Sequence, residues 1–414
     1  MSVRTSAPRA ATRYLVVGGL CGLAWAAGLR GWMAELAGGG SQITWLTLAL
    51  VLLPGTIIGA LLGWSAYLRS KGVRGSRWLV FSPVLFASAL LDPEILYGLI
   101  TDGTGAGALI VIATTLSIGY VLSRRRWSIR RTACAVVAVL GLLLIGGMGG
   151  MAAPMSTARG AWVSLYGFVL VLLFGVASVL PHPPTRRTLG SRGWIALGTL
   201  CGLAWACALR EFMAQVAGDD SEVQWVNTFG FILLPGAAIG ALLGWAEHLR
   251  RTGGRPRWRW LALAPLLFAA ILFSNPLDIG GLLEDGVGGG AIGVPVIAML
   301  GGYAVSGRGL AWPRRLSGLV FLAGLVTWLV VATDVGGPSF SLTTVHGLWA
   351  SALYESLLVL FALAASVPHS APVNTGAGGT VPALLAPQHC GSIDRKSTRL
   401  NSSHSLTSRM PSSA

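Results

Sequence analysis

The sequence predicts an all-α, polytopic membrane protein with about twelve transmembrane helices, arranged as two parallel six-helix repeats with the N-terminus in the cytoplasm. Hydrophobic residues make up 53% of the 414 residues and charged residues only 11%, whereas soluble domains carry about 25% charged residues. The apolar residues also form runs of about 17–25 residues, the length that crosses a bilayer as a helix. Long internal repeats then divide the chain into two halves.

Twelve apolar segments are candidates for membrane-spanning helices. They fall near 14–37, 44–68, 78–91, 105–123, 132–153, 161–180, 194–217, 225–249, 258–273, 289–306, 316–333 and 346–367. The third and the ninth are short, and each precedes a stretch that contains proline, LLDPEILYGLI (90–100) and LFSNPLDIGGLL (272–283). We therefore expect these two segments to be tilted or to continue as a half-helix. The first segment is too long for a cleavable signal peptide and is expected to act as a signal-anchor.

Several phrases of the sequence occur twice in the same order. LLPGTIIGALLGW (52–64) returns as LLPGAAIGALLGW (233–245), and CGLAWAAGLR (21–30) returns as CGLAWACALR (201–210). Matches that stay in register indicate a tandem duplication. Each copy holds an even number of helices, so both copies enter the membrane from the same side, related by an axis along the membrane normal. The predicted organisation is a cytoplasmic N-terminal tail (1–13), repeat one (14–182), a cytoplasmic linker (183–193), repeat two (194–369) and a flexible tail (370–393).

The distribution of basic residues predicts the orientation. With the N-terminus in the cytoplasm, all but three of the Arg and Lys residues before residue 394 fall in inner segments; the exceptions are Arg30, Arg159 and Arg210. Acidic residues cluster in the outer segments instead. This positive-inside pattern indicates a multi-pass protein of the plasma membrane. It also accounts for the net charge of +15, because a basic inner face meets anionic lipid. A nucleic-acid partner is not expected.

Tryptophan and cysteine fit the same prediction. All but two of the sixteen Trp residues lie near predicted helix ends, as in an aromatic belt. The exceptions, Trp25 and Trp205, lie near mid-membrane and are candidates for a binding site. The five Cys residues include no CxxC pair, and four of them lie within predicted helices. They are therefore expected to be small apolar residues rather than disulfides or metal ligands, and no cofactor is expected.

The last residues, 394–414, differ in composition from the rest of the chain. Back-translation of DRKSTRLNSSH and SRMPSSA matches a common short-read sequencing adapter, so we expect this segment to be translated adapter rather than protein; the alternative is an ordinary Ser-rich tail. Elsewhere Arg replaces Lys almost completely, alongside many Ala and Gly. These residues have GC-rich codons, which indicates a bacterium of high GC content.

The repeated phrase LLPG carries two features of interest. Gly55 begins a series of glycines spaced by four, as does Gly236, so each series lies on one helix face where another backbone can approach closely. Pro54 and Pro235 lack a backbone N–H, so each frees a carbonyl one turn earlier, near residues 50 and 231. Paired breaks at matching positions in two repeats indicate a transporter's binding site. The alternative is a plain kink beside a glycine zipper.

Two arginines end the repeated phrase CGLAWAxxLR. Arg30 and Arg210 each lie about 24 Å along a span of about 30 Å. Each guanidinium either reaches the outer headgroups by snorkelling or contributes to an outer vestibule. Glu35 and Glu211 lie close by in the sequence and are candidate partners for these arginines, and Gln215 occupies the position that corresponds to Glu35.

Glu355 is the most informative single residue in the apolar segments. It lies close to the predicted midplane of the last segment, HGLWASALYESLLVLF. A carboxylate there is costly unless it is protonated or paired, so the position predicts a functional residue and suits proton coupling. The alternative is a protonated glutamate that hydrogen-bonds to a neighbouring helix. A second alternative is an ion pair between Glu355 and Arg30 or Arg210.

Other motifs favour structural explanations. The repeated DGxGxGA motif lacks the strand and the lysine of a phosphate loop. Asp102 and Asp285 are therefore expected to cap the helices that follow. His182 and His369 follow helices inside Pro-containing turns and are expected to be surface residues. No metal-ligand cluster and no pairing of a nucleophile with a base is visible, so an enzyme is not expected.

Twelve helices in two parallel halves resemble the major facilitator superfamily. That family carries a Gly-rich motif with an aspartate between its second and third helices, whereas GWSAYLRSKGVRGSR (63–77) has the basic residues and no Asp. The resemblance extends to helix count alone. The leading hypothesis is a small-solute transporter that couples to protons through the midplane carboxylate, supported by the duplication, the paired Pro-Gly breaks and that carboxylate. The alternative is a membrane scaffold or a subunit of an envelope-associated complex, because few polar residues lie within the predicted bundle.

Overall fold

A computed structural model describes most of the chain. The described residues are 6–38, 41–73, 77–101, 105–124, 126–183, 189–218, 221–253, 258–273 and 287–372. This part consists of helices and the turns between them, and it contains no strand. The predicted caps Asp102 and Asp285, and the predicted adapter segment 394–414, lie outside it.

Nine helices within these residues are long and apolar enough to cross a membrane. We number the α-helices in chain order: α1 (Ser6–Ala37), α2 (Trp45–Ser70), α3 (Pro93–Thr101), α4 (Ala106–Ser123), α5 (Ile129–Ala152), α6 (Ala158–Ala177), α7 (Ser191–Ala217), α8 (Trp225–Arg251), α9 (Val287–Val305), α10 (Ala311–Gly336) and α11 (Val345–Ala365). The nine candidates are all of these except α3 and α9. The chain therefore has the helices of a multi-pass integral membrane protein.

Two 3₁₀ helices occupy the short third and ninth segments of the sequence. They are Arg77–Leu91, with 15 residues, and Trp258–Phe273, with 16. A 3₁₀ helix rises about 2.0 Å per residue, so fifteen residues extend about 30 Å, the thickness of the hydrocarbon core. The first is followed by a helical piece, Ile95–Thr101, bent by 103° from it. This is the half-helix predicted after the third segment; the stretch after the ninth lies outside the described residues.

The proline of each LLPG phrase follows a wide helical turn. The backbone is π-helical over Leu48–Leu52 and over Trp225–Leu233, directly before the α-helical parts of α2 and α8 that carry Pro54 and Pro235. The missing N–H of Pro54 leaves the carbonyl of Leu50 without its usual donor. Ser88 of the first 3₁₀ helix donates its hydroxyl to that carbonyl at 3.1 Å. The predicted free carbonyl is therefore used to join two helices.

Each half begins with two helices whose backbones touch. A Cβ added at Gly22 of α1 would overlap the Gly55 carbonyl oxygen of α2 and lie 2.9 Å from the Gly59 Cα. In the second half, a Cβ at Gly202 of α7 would meet the Gly236 carbonyl of α8 in the same way. Only glycine permits so close an approach between helices. These helix pairs therefore bury the Pro-Gly residues of both LLPG phrases, which are Pro54, Gly55, Pro235 and Gly236.

Four helices form the centre of the molecule. They are the first and last long helices of each half, α1, α6, α7 and α11. Trp25 of α1 donates its indole N–H to the Leu170 carbonyl of α6 at 2.9 Å, and Trp205 of α7 donates to the Leu357 carbonyl of α11 at 2.8 Å. Each bond joins the first and last helices of one half. The two predicted mid-membrane tryptophans therefore have matching structural partners.

Candidate functional site

The two halves meet where α1 passes α7. A Cβ at Gly28 of α1 would lie 3.5 Å from the Ala208 Cβ of α7, and a Cβ at Gly31 would lie 3.0 Å from the carboxyl carbon of Glu211. In the repeated phrase, Gly28 corresponds to Ala208 and Gly31 to Glu211. Because the residue numbers rise together along both helices, α1 and α7 run parallel at this contact.

Towards their N-terminal ends the same two helices present accessible side chains. Cys21 of α1 and Cys201 of α7 occupy corresponding positions in the repeated phrase, and both are exposed. They are also close enough to interact electrostatically. These two corresponding residues lie on the N-terminal side of the contact at Gly28, and each has accessible surface there.

A buried polar cluster lies on the other side of this contact, towards the C-terminal ends of α1 and α7. We call it the Glu211 cluster and define it by the following residues: Arg30, Glu35, Arg159, Trp162, Arg210, Glu211, Gln215 and His346. Glu211 is wholly buried, and its Oε1 accepts a hydrogen bond from Gln215 Nε2 at 2.9 Å. The Gln215 Oε1 in turn lies 3.3 Å from His346 Nε2. Because the amide nitrogen faces Glu211, the amide oxygen faces the imidazole, and an amide oxygen only accepts, so His346 Nε2 is the donor in this arrangement.

The two arginines of the repeated phrase are enclosed by protein. Arg30 is 7% exposed and Arg210 is 4% exposed. Arg30 donates to the Gln42 backbone carbonyl at 2.7 Å, and Arg210 donates to the Glu222 backbone carbonyl at 2.8 Å. Each guanidinium thus ties the end of its helix to the chain that follows, instead of extending to the surface by snorkelling. The Glu211 carboxylate interacts electrostatically with both guanidinium groups.

Glu35 has a different partner from the one predicted. Its carboxylate forms an ion pair with Arg159 of α6 at 2.9 Å, rather than with Arg30 or Arg210. The physical reason is that α6 brings Arg159 to the same level of the bundle, which sequence proximity along α1 does not reveal. Gln215 and His346 make the corresponding contact between α7 and α11. One half therefore uses an ion pair where the other uses a neutral hydrogen bond.

Three polar atoms of the cluster are buried without a hydrogen-bond partner among the described residues. They are Arg30 Nη1, Trp162 Nε1 and Glu211 Oε2. The Arg210 guanidinium lies over the Trp162 ring, 5.5 Å from its centroid. Buried polar atoms in proteins are almost always paired with protein, water or ligand. Several unpaired donors and acceptors in one place indicate a site that receives small polar molecules.

Glu355 lies on another side of its helix. It is about 120° around α11 from Trp349, whose indole N–H donates to the Ala27 carbonyl of α1. One turn earlier, Ser351 accepts a hydrogen bond from Trp328 of α10. Glu355 therefore points away from the contact that Trp349 makes with α1, and its side chain is partly exposed. Its Oε1 is buried without a hydrogen-bond partner, and within the described residues it forms no ion pair with Arg30 or Arg210.

The two turn histidines pack against tyrosines. The His182 ring meets Tyr120 edge to face at 6.5 Å, and the His369 ring meets Tyr303 in the same way at 5.6 Å. Both side chains are partly exposed in turns that follow helices, and each ring also covers the end of a neighbouring helix. In the part of the chain that the structure describes, no group of three His, Cys, Asp or Glu residues can hold a metal ion.

The sequence missed His346 and Trp162 as members of the site. A signal existed, because His346 takes the place of Arg159 when the last helices of the two halves are aligned on Trp162 and Trp349. Comparison with known proteins adds no further assignment: no family model, no curated protein and no solved structure matches the chain.

Proposed function

We propose that this protein is a plasma-membrane transporter for a small solute, built from two parallel six-helix repeats with a cytoplasmic N-terminus. Each of the twelve segments predicted from the sequence contains helix in the described residues. The length of the two 3₁₀ helices supports counting them as crossings. The shared contacts of α1 with α2 and of α7 with α8 support the duplication and its glycine zipper.

One observation carries the transporter proposal: α1 and α7 touch at the Glu211 cluster, whereas Cys21 and Cys201, nearer the N-terminal ends of the two helices, have accessible surface. We infer that the helices separate there and leave a crevice between the halves. A path that is closed at one end and open at the other is what alternating access requires of two repeats related by an axis along the membrane normal. The closed end is polar, charged and buried, so opening it exposes a site that can bind solute. The open end contains the N-terminal ends of both helices, which the orientation predicted from the basic residues puts at the cytoplasm.

Two carboxylates are the candidates for proton coupling. Glu211 lies at the contact between halves, where a change of charge acts on both of them. Glu355 lies within the second half and stays a candidate on the strength of its midplane position. We assign the primary coupling role to Glu211, because only it contacts both halves.

Transport by reconstituted vesicles tests the proposal. Wild-type protein is placed in liposomes with an imposed pH gradient, and proton entry is recorded when amino acids, sugars or small carboxylic acids are added one at a time. We expect solute-dependent proton entry in the wild type and its loss in Glu211→Gln. Glu355→Gln serves as the comparison and is expected to retain more of the flux. Absence of flux in the wild type with every solute, from protein shown to be folded, contradicts the proposal.

Thiol labelling tests the path separately from the flux. A membrane-impermeant maleimide reacts with a thiolate, which requires water rather than lipid around the cysteine. Variants that keep only Cys21 or only Cys201 are expected to react from the cytoplasmic side, whereas a variant that keeps only the buried Cys207 is the unreactive control. If Cys21 and Cys201 react no faster than Cys207, the crevice faces lipid and no aqueous path leads to the cluster.

A scaffold is the second candidate, favoured by the outer surface. The corresponding helices α5 and α10 expose many large apolar side chains, such as Leu143 at 65% and Val330 at 67%. Lipid covers such faces, but so do the helices of a partner protein. The vesicle assay separates the two functions, since a scaffold gives no flux in either the wild type or the variants.

A further inference from the structure

The charges of the Glu211 cluster do not cancel. Glu35 and Arg159 neutralise each other as an ion pair. Arg30 and Arg210 both interact electrostatically with Glu211, and Arg210 also with Glu35, so three guanidinium groups share two carboxylates. The cluster has an excess of one positive charge while Glu211 is ionised, and of two when it is protonated. Buried charge is tolerated only when it is paired, so this arrangement favours an additional anion.

The donors that such an anion needs are present and unused. Arg30 Nη1 and Trp162 Nε1 are buried donors without partners, and neither side chain is more than 7% exposed. Arg210 lies against the Trp162 ring and adds its charge at the same place. A planar guanidinium edge suits a carboxylate, which accepts two hydrogen bonds from it in one plane, and an indole N–H is a further donor.

We infer that the Glu211 cluster binds a small monovalent carboxylate together with one proton, and that this is the substrate class of the proposed transporter. That the carboxylate is transported rests on the proposed function, whereas the binding site rests on the contacts alone. The anion lies between Arg30, Arg210 and Trp162, and Glu211 is the group that takes the proton.

Electrostatic interactions link the binding of the anion to the binding of the proton. An anion that arrives beside an ionised Glu211 meets a like charge in a site that excludes water, where such repulsion is strong. A proton that arrives alone raises the excess positive charge of the cluster from one to two. When both bind together, the net charge of the cluster does not change. Each ligand therefore raises the affinity for the other by the same factor.

The groups around Glu211 that can alter this link come from all four central helices. They are Arg30 and Glu35 of α1, Arg159 and Tyr166 of α6, Cys207 and Arg210 of α7, and His346 of α11. Among them His346 reaches Glu211 only through Gln215. We expect His346→Gln to shift the pH at which the anion binds, while proton uptake on binding persists.

Calorimetry on the purified full-length protein in detergent tests the site, with acetate as the probe and acetamide as its neutral isostere. Titrations in two buffers of different ionisation heat count the protons taken up. We expect acetate to bind with uptake of about one proton where Glu211 is ionised, with an affinity that falls about tenfold per pH unit. Acetamide and divalent sulfate are expected to bind at least tenfold more weakly.

Three variants make the result specific. Glu211→Gln is expected to bind acetate with no proton uptake and no pH dependence. Arg30→Lys keeps the charge but loses the planar edge, so we expect at least a tenfold loss of affinity in protein whose unfolding matches the wild type. Arg308→Gln, which removes an exposed arginine far along the chain from the cluster, is the matched control and is expected to match the wild type.

The outcomes separate the site from the transporter. Equal binding of acetate and acetamide, proton uptake that persists in Glu211→Gln, or no acetate binding by folded wild-type protein overturns the anion site. Acetate binding without flux in vesicles leaves the site standing and overturns the transporter. Flux of another solute that acetate does not inhibit leaves the transporter standing and overturns the substrate class.

Discussion

A methyl group added at Gly18 tests the close packing of α1 against α2. In Gly18→Ala the new Cβ would overlap the Gly59 carbonyl oxygen and lie 2.9 Å from the Gly63 Cα. Both neighbours are backbone atoms, so neither can rotate away, and the two helices must separate. The next residue provides the control, because a Cβ at Gly19 would lie 3.6 Å from the Thr56 methyl group, an ordinary contact.

The size of the effect follows from these distances. Overpacking a well-packed contact costs about 1–3 kcal/mol, and rigid backbone on both sides puts Gly18→Ala near the upper end. Replacing glycine by alanine in a helix gains up to about 1 kcal/mol in either variant. The net loss for Gly18→Ala is therefore about 2 kcal/mol, or roughly thirtyfold in the ratio of folded to unfolded protein. The gain in helix propensity is the same in both variants, so it does not affect the difference between their free energies of unfolding.

Unfolding in mixed micelles, followed by tryptophan fluorescence as the fraction of denaturing detergent rises, measures both variants against the wild type. We expect Gly18→Ala to unfold at a lower fraction and Gly19→Ala at the same fraction or a higher one. If Gly18→Ala is no less stable than Gly19→Ala, the backbones of α1 and α2 do not touch as described, and the argument for their glycines is wrong.

Three further predictions concern other parts of the fold. Ser88→Ala removes the donor to the Leu50 carbonyl and should cost about 1 kcal/mol in the same unfolding assay; no loss means that the carbonyl has another donor. A reporter domain fused after Arg131 should be cytoplasmic and one fused after Asp220 external, and the reverse result inverts the topology. Burial, with a nearby arginine, lowers the pKa of His182, so the neutral form is favoured in the folded state. Folding stability should then fall as the pH drops below about 6.5, and His182→Gln should show a smaller fall.

Local features of the fold were predictable because they depend on residues within a few turns of one helix. Pro54 lacks an N–H, so a free carbonyl four residues earlier follows from covalent structure alone. That carbonyl belongs to Leu50, and it accepts a hydrogen bond from another helix. What no local pattern supplies is the donor itself. Ser88 lies on another helix, and Ala270, its counterpart in the second half, has no hydroxyl group.

The candidate site was only partly predictable because its contacts join distant segments. Arg30, Arg210 and Glu35 stood out as charges within apolar segments, but their partners did not follow from sequence distance. His346 reaches Gln215 across 131 positions, and Arg159 reaches Glu35 across 124. Such pairs form only because the last helix of each half packs beside the first. Glu355 stood out for the same reason as the arginines, and its position away from the other half depends on helix rotation.

The proposed duplication explains why the halves differ at Gly31 and Glu211. An axis that relates two copies brings corresponding residues together at the points it passes, and these two residues touch. Two identical glutamates there would place one carboxylate against another in a buried site, which is unfavourable unless one is protonated. A glycine on one side removes the clash and leaves room for the carboxylate on the other. The single Glu211 can therefore exchange a proton without an identical neighbour that competes for it, which is what coupling one proton to one anion requires.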